Sequence, residues 1–429
     1  MLVFLDALVG PSHHFGGIAF GNKASLAHQH QASNPRKAAL ESLEKMRLVY
    51  ECGAKQLIVP PQVRPQLSTF KQLSGAGGFT KTNLDQLFQF APQFLSALFS
   101  TSYMWQANAG IVSAACDAFD GLVHITPANL QSHFHRSEEV VQTTKQFKTL
   151  FEPIKKVKIH APVSMSFPDE GAANCIRFSS KKAESGLNFW VYSKSQFEHP
   201  STLFPARQSK EALQLIARKH KLKHVLFAKQ SEEAINAGVF HNDVIAMGIG
   251  TLLVVHKHAY DNQKKVLDDL QEQAMHVLGE PLTIIEVSSR AMCLEEAVKS
   301  YVFNSQLIKK ANGDIILLAP LTAKKYPSAK RLLAKLLKQS HIKQVHYVPL
   351  EESMNNGGGP ACLRLAMNLE KDIIQKIPKS YIFSIKRYHL LVEFVKTHYP
   401  DWIVLRHFKD PDFIQELHDI GKKLNNLFK

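Results

Sequence analysis

The stretch Asn355-Asn356-Gly357-Gly358-Gly359-Pro360-Ala361-Cys362-Leu363-Arg364-Leu365 joins three consecutive glycines to an alternating run. Glycines let a backbone take positive φ and come close to a ligand, and Pro360 stiffens the exit from them. Beyond it Leu363, Leu365 and Met367 alternate with Cys362, Arg364 and Ala366. A period of two predicts a strand, with Cys362 at its mouth on the face opposite the leucines. A thiol between a glycine loop and a strand is placed to attack an electrophile. A free cysteine is also, most often, a small buried hydrophobe. The nucleophile reading asks for a histidine and a carboxylate elsewhere in the chain.

Outward from this strand, short strands and amphipathic helices alternate. Strands are expected at 56–60, 188–192, 224–228, 283–287, 315–319 and 345–349. Asn34 and Pro35 open a helix as N-cap and first residue, with a stripe of Leu40, Leu43, Met46 and Tyr50 and a stop at Gly53. Other helices run to about residue 219, through Val266, Leu267, Leu270, Ala274 and Leu278 to Gly279, along Leu332, Leu333, Leu336 and Leu337, and along Phe413, Leu417, Ile420 and Leu424. Strand–helix alternation of this kind is an α/β pattern.

The chain has 429 residues, 45% of them hydrophobic and 21% charged, which is globular composition with enough chain for a large core. Length alone suggests about three domains. No Pro/Ser-rich linker or long charge block offers a cut, so one domain over 1–429, built from repeated units, fits better. The five cysteines form no C-x-x-C, which argues for a reducing compartment and against a cysteine zinc site. The N-terminus has no basic signal-peptide region, and the longest apolar run, 244–255, is too short to span a bilayer. A cytoplasmic protein without membrane partners is expected. The net charge of +15 could suit nucleic acid or anionic substrates. No nucleic-acid recognition motif accompanies it, so no nucleic-acid partner is expected; part of the excess sits on the helix of Lys330, Lys335 and Lys338, as a solvated face.

Several loops carry polar chemistry. Residues 8–34 hold four glycines and four histidines, His13, His14, His28 and His30, but no Gly-Lys-Ser/Thr of a P-loop. No acidic residue lies between those histidines, so no metal is expected. Phe134-His135-Arg136-Ser137 sets an arginine that could hold a carboxylate beside a histidine. Asp169 and Glu170 are adjacent in a loop of small residues. His241-Asn242-Asp243 reads as extended chain, with His241 and Asp243 on one face. Cys362, His241, Glu170 and Asp243 thus supply a thiol, a general acid/base and two carboxylates. Paired carboxylates suit a planar, donor-only cation such as a guanidinium. A thiol suits attack on its carbon.

These motifs together resemble the N-succinylarginine dihydrolase family of guanidine-modifying (pentein) enzymes. The resemblance runs in order through His13–Gly17, Gly21–Ser25, Met104–Ala109, Phe134–Ser137, Asp169–Asn174, Pro205–Gln208, Val239–Ala246, Tyr301–Leu307 and Asn356–Leu365. One departure is Cys175, where the family pattern leads one to expect histidine. The stretch after about residue 400 carries none of the resemblance.

The resemblance implies a pseudo-fivefold α/β propeller of ββαβ-type units around a central site. It implies hydrolysis of N2-succinyl-L-arginine to N2-succinyl-L-ornithine, two ammonia and carbon dioxide, a step of arginine catabolism by the arginine succinyltransferase route. It carries over Cys362 as nucleophile with Glu170 and His241 as the other catalytic residues. It carries over substrate contacts to Gly16, Gly17, Ile18, Ala19, Phe20, Gly21, Asn22, Lys23, Ala24 and Ser25. Asn108, His135, Arg136, Arg207, Asp243 and Asn356 complete that set. No cofactor is implied, and a homodimer is compatible with it. A one-round arginine deiminase is the chemical rival, and a non-catalytic basic nucleic-acid-binding module is a rival of another class. Whether Glu170 orients His241 or holds the guanidinium stays open at this level, as does which arginine holds which substrate carboxylate.

Overall fold

The computed structural model describes residues 1–75, 77–198 and 202–429. The chain builds five three-stranded sheets of one pattern. In sequence order, β1 (Leu2–Ala7) is followed by the helix Pro35–Glu51 and a parallel β2 (Lys55–Val59). The next unit is β3 (Gly110–Ser113), an antiparallel β4 (Val123–Pro127), the helix Val140–Phe151 and a β5 (Val157–Ile159) parallel to β4. The same order repeats with β6 (Cys175–Phe178), β7 (Leu187–Tyr192), Lys210–Lys219 and β8 (Val225–Lys229). It repeats with β9 (Ala246–Ile249), β10 (Leu252–His256), Gln263–Leu278 and β11 (Thr283–Val287). A fourth copy has β12 (Gln306–Lys309), β13 (Ile315–Pro320), Pro327–Gln339 and β14 (Ile342–Val348). Finally β15 (Arg364–Asn368) pairs antiparallel with β1, with Leu2 opposite Asn368. Both ends of the chain therefore supply one ββαβ unit, and the ring of five closes as the expected α/β propeller.

The middle strands explain why the units stack. β1, β4, β7, β10 and β13 are buried along almost their whole length. Their near-continuous apolar runs, such as Ile315-Ile316-Leu317-Leu318-Ala319, are what a strand covered on both faces needs. The polar residues inside them are matched: Asp6 pairs with Lys45, both fully buried, and His256 Nε2 bonds the Met292 carbonyl at 2.9 Å.

Asn34 caps its helix as expected, accepting from the Lys37 amide at 2.7 Å. The buried face of that helix is Ala38, Ala39, Ser42, Leu43, Lys45, Met46 and Val49. Tyr50, read as part of the stripe, is exposed and Leu40 only half-buried. The helix packs against β-strands on one side and the helices Ile385–His398 and Pro411–Asn426 on another, so its apolar face is wider than one stripe. The last strand expected at 345–349 begins at Ile342.

The C-terminal stretch after about residue 400, which none of the quoted motifs reached, is a buttress. Phe408, Ile414 and Leu417 pack on Phe70, Leu84, Leu95 and Leu98 of the helices between β2 and β3. This layer grips the glycine-rich loop 8–34. Ser33 bridges to Ile403, the Ser12 hydroxyl donates to the Phe99 carbonyl at 2.9 Å, and His14 bonds Ser96 at 2.9 Å.

Candidate active site

The first strand of each unit, β3, β6, β9, β12 and β15, lines an axial cavity of about 890 Å³. A short turn precedes each of these strands. Four are 3₁₀ turns, Gln106–Asn108, Gly171–Asn174, Asn242–Val244 and Val302–Asn304. The fifth is the turn at 360–363. Asn108, Glu170, His241, Asp243, Asn304 and Cys362 all lie in or beside them. Pseudo-fivefold repetition thus converges one polar turn per unit on the axis.

Cys362 is 4% exposed and sits two residues before β15, with Leu365 and Met367 buried behind it as expected. Its Sγ lies 3.4 Å from Asn304 Oδ1 and 3.7 Å from Asp243 Oδ2. The three glycines are needed for crowding rather than for suppleness. A Cβ on Gly357, which has φ +98°, would stand 1.8 Å from Asn22 Nδ2. One on Gly358 would stand 2.1 Å from Trp105 Nε1, and one on Gly359 2.7 Å from Asn304 Oδ1. Only the first of the three uses positive φ.

The second cluster is built on Glu170. Its Oε2 receives His241 Nε2 at 2.8 Å and also the Arg136 guanidinium. Its backbone N–H donates to Gln208 Oε1 at 2.8 Å, and its carbonyl accepts from Asn108 Nδ2 at 2.7 Å. Both backbone groups are thus fixed before any ligand arrives. Burial works to raise the Glu170 pKa, but Arg136 above all, then His241 and Arg207, hold the carboxyl well below its usual range. His241 is pulled by burial to about 4, against the pull of Glu170, so the imidazole is neutral near pH 7. Burial pushes Asp243 up to about 6. Burial, and then the Asp243 carboxylate, push the Cys362 thiol well above its usual range.

The expected extended geometry at 241–243 is not what forms. His241 is extended, but Asn242–Val244 is a 3₁₀ turn. The two side chains consequently diverge, His241 to Glu170 and Asp243 to Cys362. The turn is pinned by Asn174 Oδ1, which accepts the Asn242 N–H at 2.9 Å, and by Asn304 Nδ2, which donates to the Asp243 carbonyl at 3.2 Å. Those tertiary bonds override the local extended preference.

Arg207 lies over the Phe240 ring, 4.9 Å from its centroid, and its Nη2 donates to the Phe20 carbonyl at 3.0 Å. Burial draws its pKa down to about 10. Among the described residues, Arg207 Nε, Glu170 Oε1 and Asp243 Oδ1 are buried without a hydrogen-bond partner. Buried polar atoms are seldom left so, and these are one cationic and two anionic groups around one site.

The loop 16–25 covers this region but is not loop throughout, because Asn22 caps a short helix, Lys23–Ala27. Asn22 Nδ2 also donates to the Gly357 carbonyl at 3.3 Å, and Asn356 Nδ2 to the His14 carbonyl at 3.1 Å. Ser25 reaches Asn356 Oδ1 at 3.5 Å. Gly16 and Gly17 are crowded by Ser96 and Gln29, and Ala19 and Gly21 are buried. Ile18 and Ala24 are half-buried, and Lys23 is exposed. Phe20 is 53% exposed and meets Phe204 edge-on at 5.5 Å. His135 is buried beside His133, ring centroids 5.7 Å apart.

Cys175 does not join the site; it opens β6 on the axial cavity. Among the described residues no group of three His, Cys, Asp or Glu is arranged to hold a metal ion. Asn304, Asn174, Gln208 and Tyr301 stood inside motifs but had no role in the sequence reading. Their signal was weak, since a buried amide reveals its partner only in three dimensions.

The sequence pattern of the succinylarginine dihydrolase family matches residues 2–429. The chain is 38% identical over 432 residues to an N-succinylarginine dihydrolase from Aliivibrio salmonicida, covering 99% of this chain and 96% of that one. It is 39% identical to one from Marinobacter nauticus, covering 96% and 93%. It is also 39% identical to one from Legionella pneumophila, covering 99% and 96%. Among solved structures it resembles the N-terminal domain of ArgZ, an arginine dihydrolase from cyanobacteria. There the TM-score is 0.53 at 16% identity, covering 85% of this chain and 98% of that one. The fold is shared with that domain.

Proposed function

The chain belongs to the succinylarginine dihydrolase family, and from that premise we propose that it hydrolyses N2-succinyl-L-arginine in two rounds at one cysteine, yielding N2-succinyl-L-ornithine, two ammonia and carbon dioxide. The observation that carries the reading is the thiol of Cys362 at 3.7 Å from Asp243, in one ring of turns with the His241–Glu170 pair. As a hydrolase of amidine C–N bonds it needs a nucleophile and a proton carrier, and these residues supply both.

Arriving substrate brings a guanidinium between Asp243 and Glu170, whose Oδ1 and Oε1 are free to accept its N–H groups. The cation favours the thiolate beside it. Cys362 attacks the guanidinium carbon as its thiol proton passes to His241, His241 returns that proton to the departing nitrogen, and the first ammonia leaves a thiouronium. Water then displaces the thiolate and leaves a ureido group. A second attack expels a second ammonia and forms a thiocarbamate. Water releases a carbamate, which decomposes to the ornithine amine and carbon dioxide. Two waters are consumed.

Glu170 serves in both of the ways left open: Oε2 orients His241, and Oε1 accepts from substrate. Arg136 is engaged with Glu170, whereas Arg207 keeps a donor in hand. Arg207 is accordingly the arginine that takes a substrate carboxylate, helped by the 16–25 loop and Asn356. His135 and Asn108 complete the pocket. Residues 1–429 act as one catalytic unit, because β15 must close on β1 to set Cys362 in place. The setting is cytoplasmic, which the five free thiols favour.

The test is incubation with succinylarginine, counting ammonia and weighing the products by mass spectrometry. Two ammonia per succinylornithine, and none with Cys362→Ala, are expected. One ammonia with accumulating succinylcitrulline would instead identify a one-round, deiminase-like enzyme.

A further inference from the structure

Asn304 is fully buried in the turn Val302–Asn304, one turn from the thiol and outside the set of residues assigned above. Its amide is oriented by chemistry alone. Oδ1 accepts the N–H groups of Ala361 at 3.2 Å and Cys362 at 3.3 Å, and Nδ2 donates to the carbonyl of Asp243 at 3.2 Å. Backbone N–H groups only donate and carbonyls only accept, so the amide cannot be flipped. Its oxygen therefore faces Cys362 Sγ, 3.4 Å away. A neutral S–H can donate to that oxygen; a thiolate meets the negative end of a dipole. The same amide ties the nucleophile's turn to the turn that carries Asp243.

We propose that Asn304 is a catalytic residue that holds Cys362 as an aimed, protonated thiol until a cation occupies the site, and that it sets the distance between thiol and Asp243. The role rests on Cys362 being the nucleophile of the proposed reaction. Other charged or titratable groups facing the thiol are Asp243 from the turn before β9, Arg364 from β15 and Tyr301 from the turn before β12. Asp243 adds a second acceptor on the other side of the sulfur. Arg364 favours the thiolate but lies between Asp243 and Asp6, which draw on the same charge. A thiol so placed is spared adventitious alkylation and oxidation while the site is empty, since the thiolate is the reactive form.

The experiment is the pH dependence of Cys362 alkylation by iodoacetamide in the substrate-free protein, with the alkylated cysteine identified by peptide mass. In that step the sulfur forms an S–C bond, iodide leaves, and the thiol proton goes to buffer. Asn304→Asp keeps the shape and adds charge, and should move the midpoint up by about one pH unit or more. Asn304→Ala removes the acceptor beside the sulfur, while the Ala361 and Cys362 N–H groups keep the Asn304 and Gly359 backbone carbonyls, and should move it down by about one unit. The kcat of Asn304→Asp should recover with rising pH. If Asn304→Ala does not fold, the isosteric Asp variant decides alone. A wild-type midpoint in Asn304→Asp, in an enzyme that turns over succinylarginine, overturns this role and leaves the reaction standing. Shifted midpoints without turnover of succinylarginine support the role and remove the substrate reading.

Discussion

Cys362 Sγ and Asp243 Oδ2 stand 3.7 Å apart although the turns that carry them are 119 residues apart. A thiol this close to a carboxylate is poorly ionised, and a carboxylate this deeply set is costly to keep charged. Both penalties fall when a guanidinium enters. The pair is thus arranged for a cation rather than for the empty site.

Asp243→Asn tests that relationship in two ways. Without the charge, kcat/KM for succinylarginine should fall on the order of 10²–10³-fold. Folding stability should move the other way. The Asp243 pKa is raised by burial to about 6, so its native state is favoured below its usual value of 3.8, and that advantage is lost as pH rises through 6. Asn escapes the cost. The variant should therefore be more stable than wild type at pH 8, by up to about 3 kcal/mol, with the gain gone near pH 3.5. Denaturant melts at the two pH values measure it; equal stability at pH 8 would argue that burial does not raise the Asp243 pKa in the folded protein.

Glu170→Gln should break both halves of its cluster. Arg136 would be left as a buried cation without its counter-charge, at a cost of about 3–5 kcal/mol. His241 would lose the carboxylate that orients it, lowering kcat on the order of 10²-fold. Chemical denaturation and steady-state rates check the two effects separately. Unchanged stability would mean that Arg136 finds another partner.

Gly358→Ala should cost activity far out of proportion to its size, because its Cβ would lie 2.1 Å from the Trp105 indole nitrogen and the loop must shift. A loss of at least 10²-fold in kcat is expected, since misplacing a nucleophile by about 1 Å costs that much. Gly77→Ala, where no described atom lies within 4 Å, is the control and should be silent. Equal activity of the two variants would show that the glycine loop tolerates displacement.

Arg207 should decide recognition of the succinylated substrate. Free arginine lacks the succinyl carboxylate and should be a very poor substrate, because the buried donor goes unpaired. Arg207→Ala should lower kcat/KM for succinylarginine by about 10²-fold or more, and should let some succinylcitrulline escape between rounds. Product mass spectra settle it: equal kcat/KM for arginine and succinylarginine in the wild type would remove the carboxylate clamp.

Much was decided by the order of residues alone. Alternating short strands and capped helices specify an α/β pattern because their periods are local, whereas the ββαβ unit was implied by the family resemblance. Asn34, Pro35, Gly53 and Gly279 act through the backbone of their own neighbourhood. Cys362 stood out as a candidate because glycines, a proline and a strand bracket it in one contiguous stretch. What meets what was left to the tertiary structure. The His241–Asp243 segment reads as extended from its own residues, yet Asn174 and Asn304 fold it into a 3₁₀ turn and send its two side chains to different partners. A three-residue turn has too few positions to show a period, so sequence cannot announce it. Arg136 was expected as a substrate contact, and its ion pair with Glu170 through Nη1 is a partner that only the tertiary structure shows. Asn304 carried only a weak signal, because an amide's role depends on which donors and acceptors long-range packing brings to it. The ring itself closes only when β15 pairs with β1 across the whole chain, and it is that closure, burying five central strands at once, that brings five turns onto one axis.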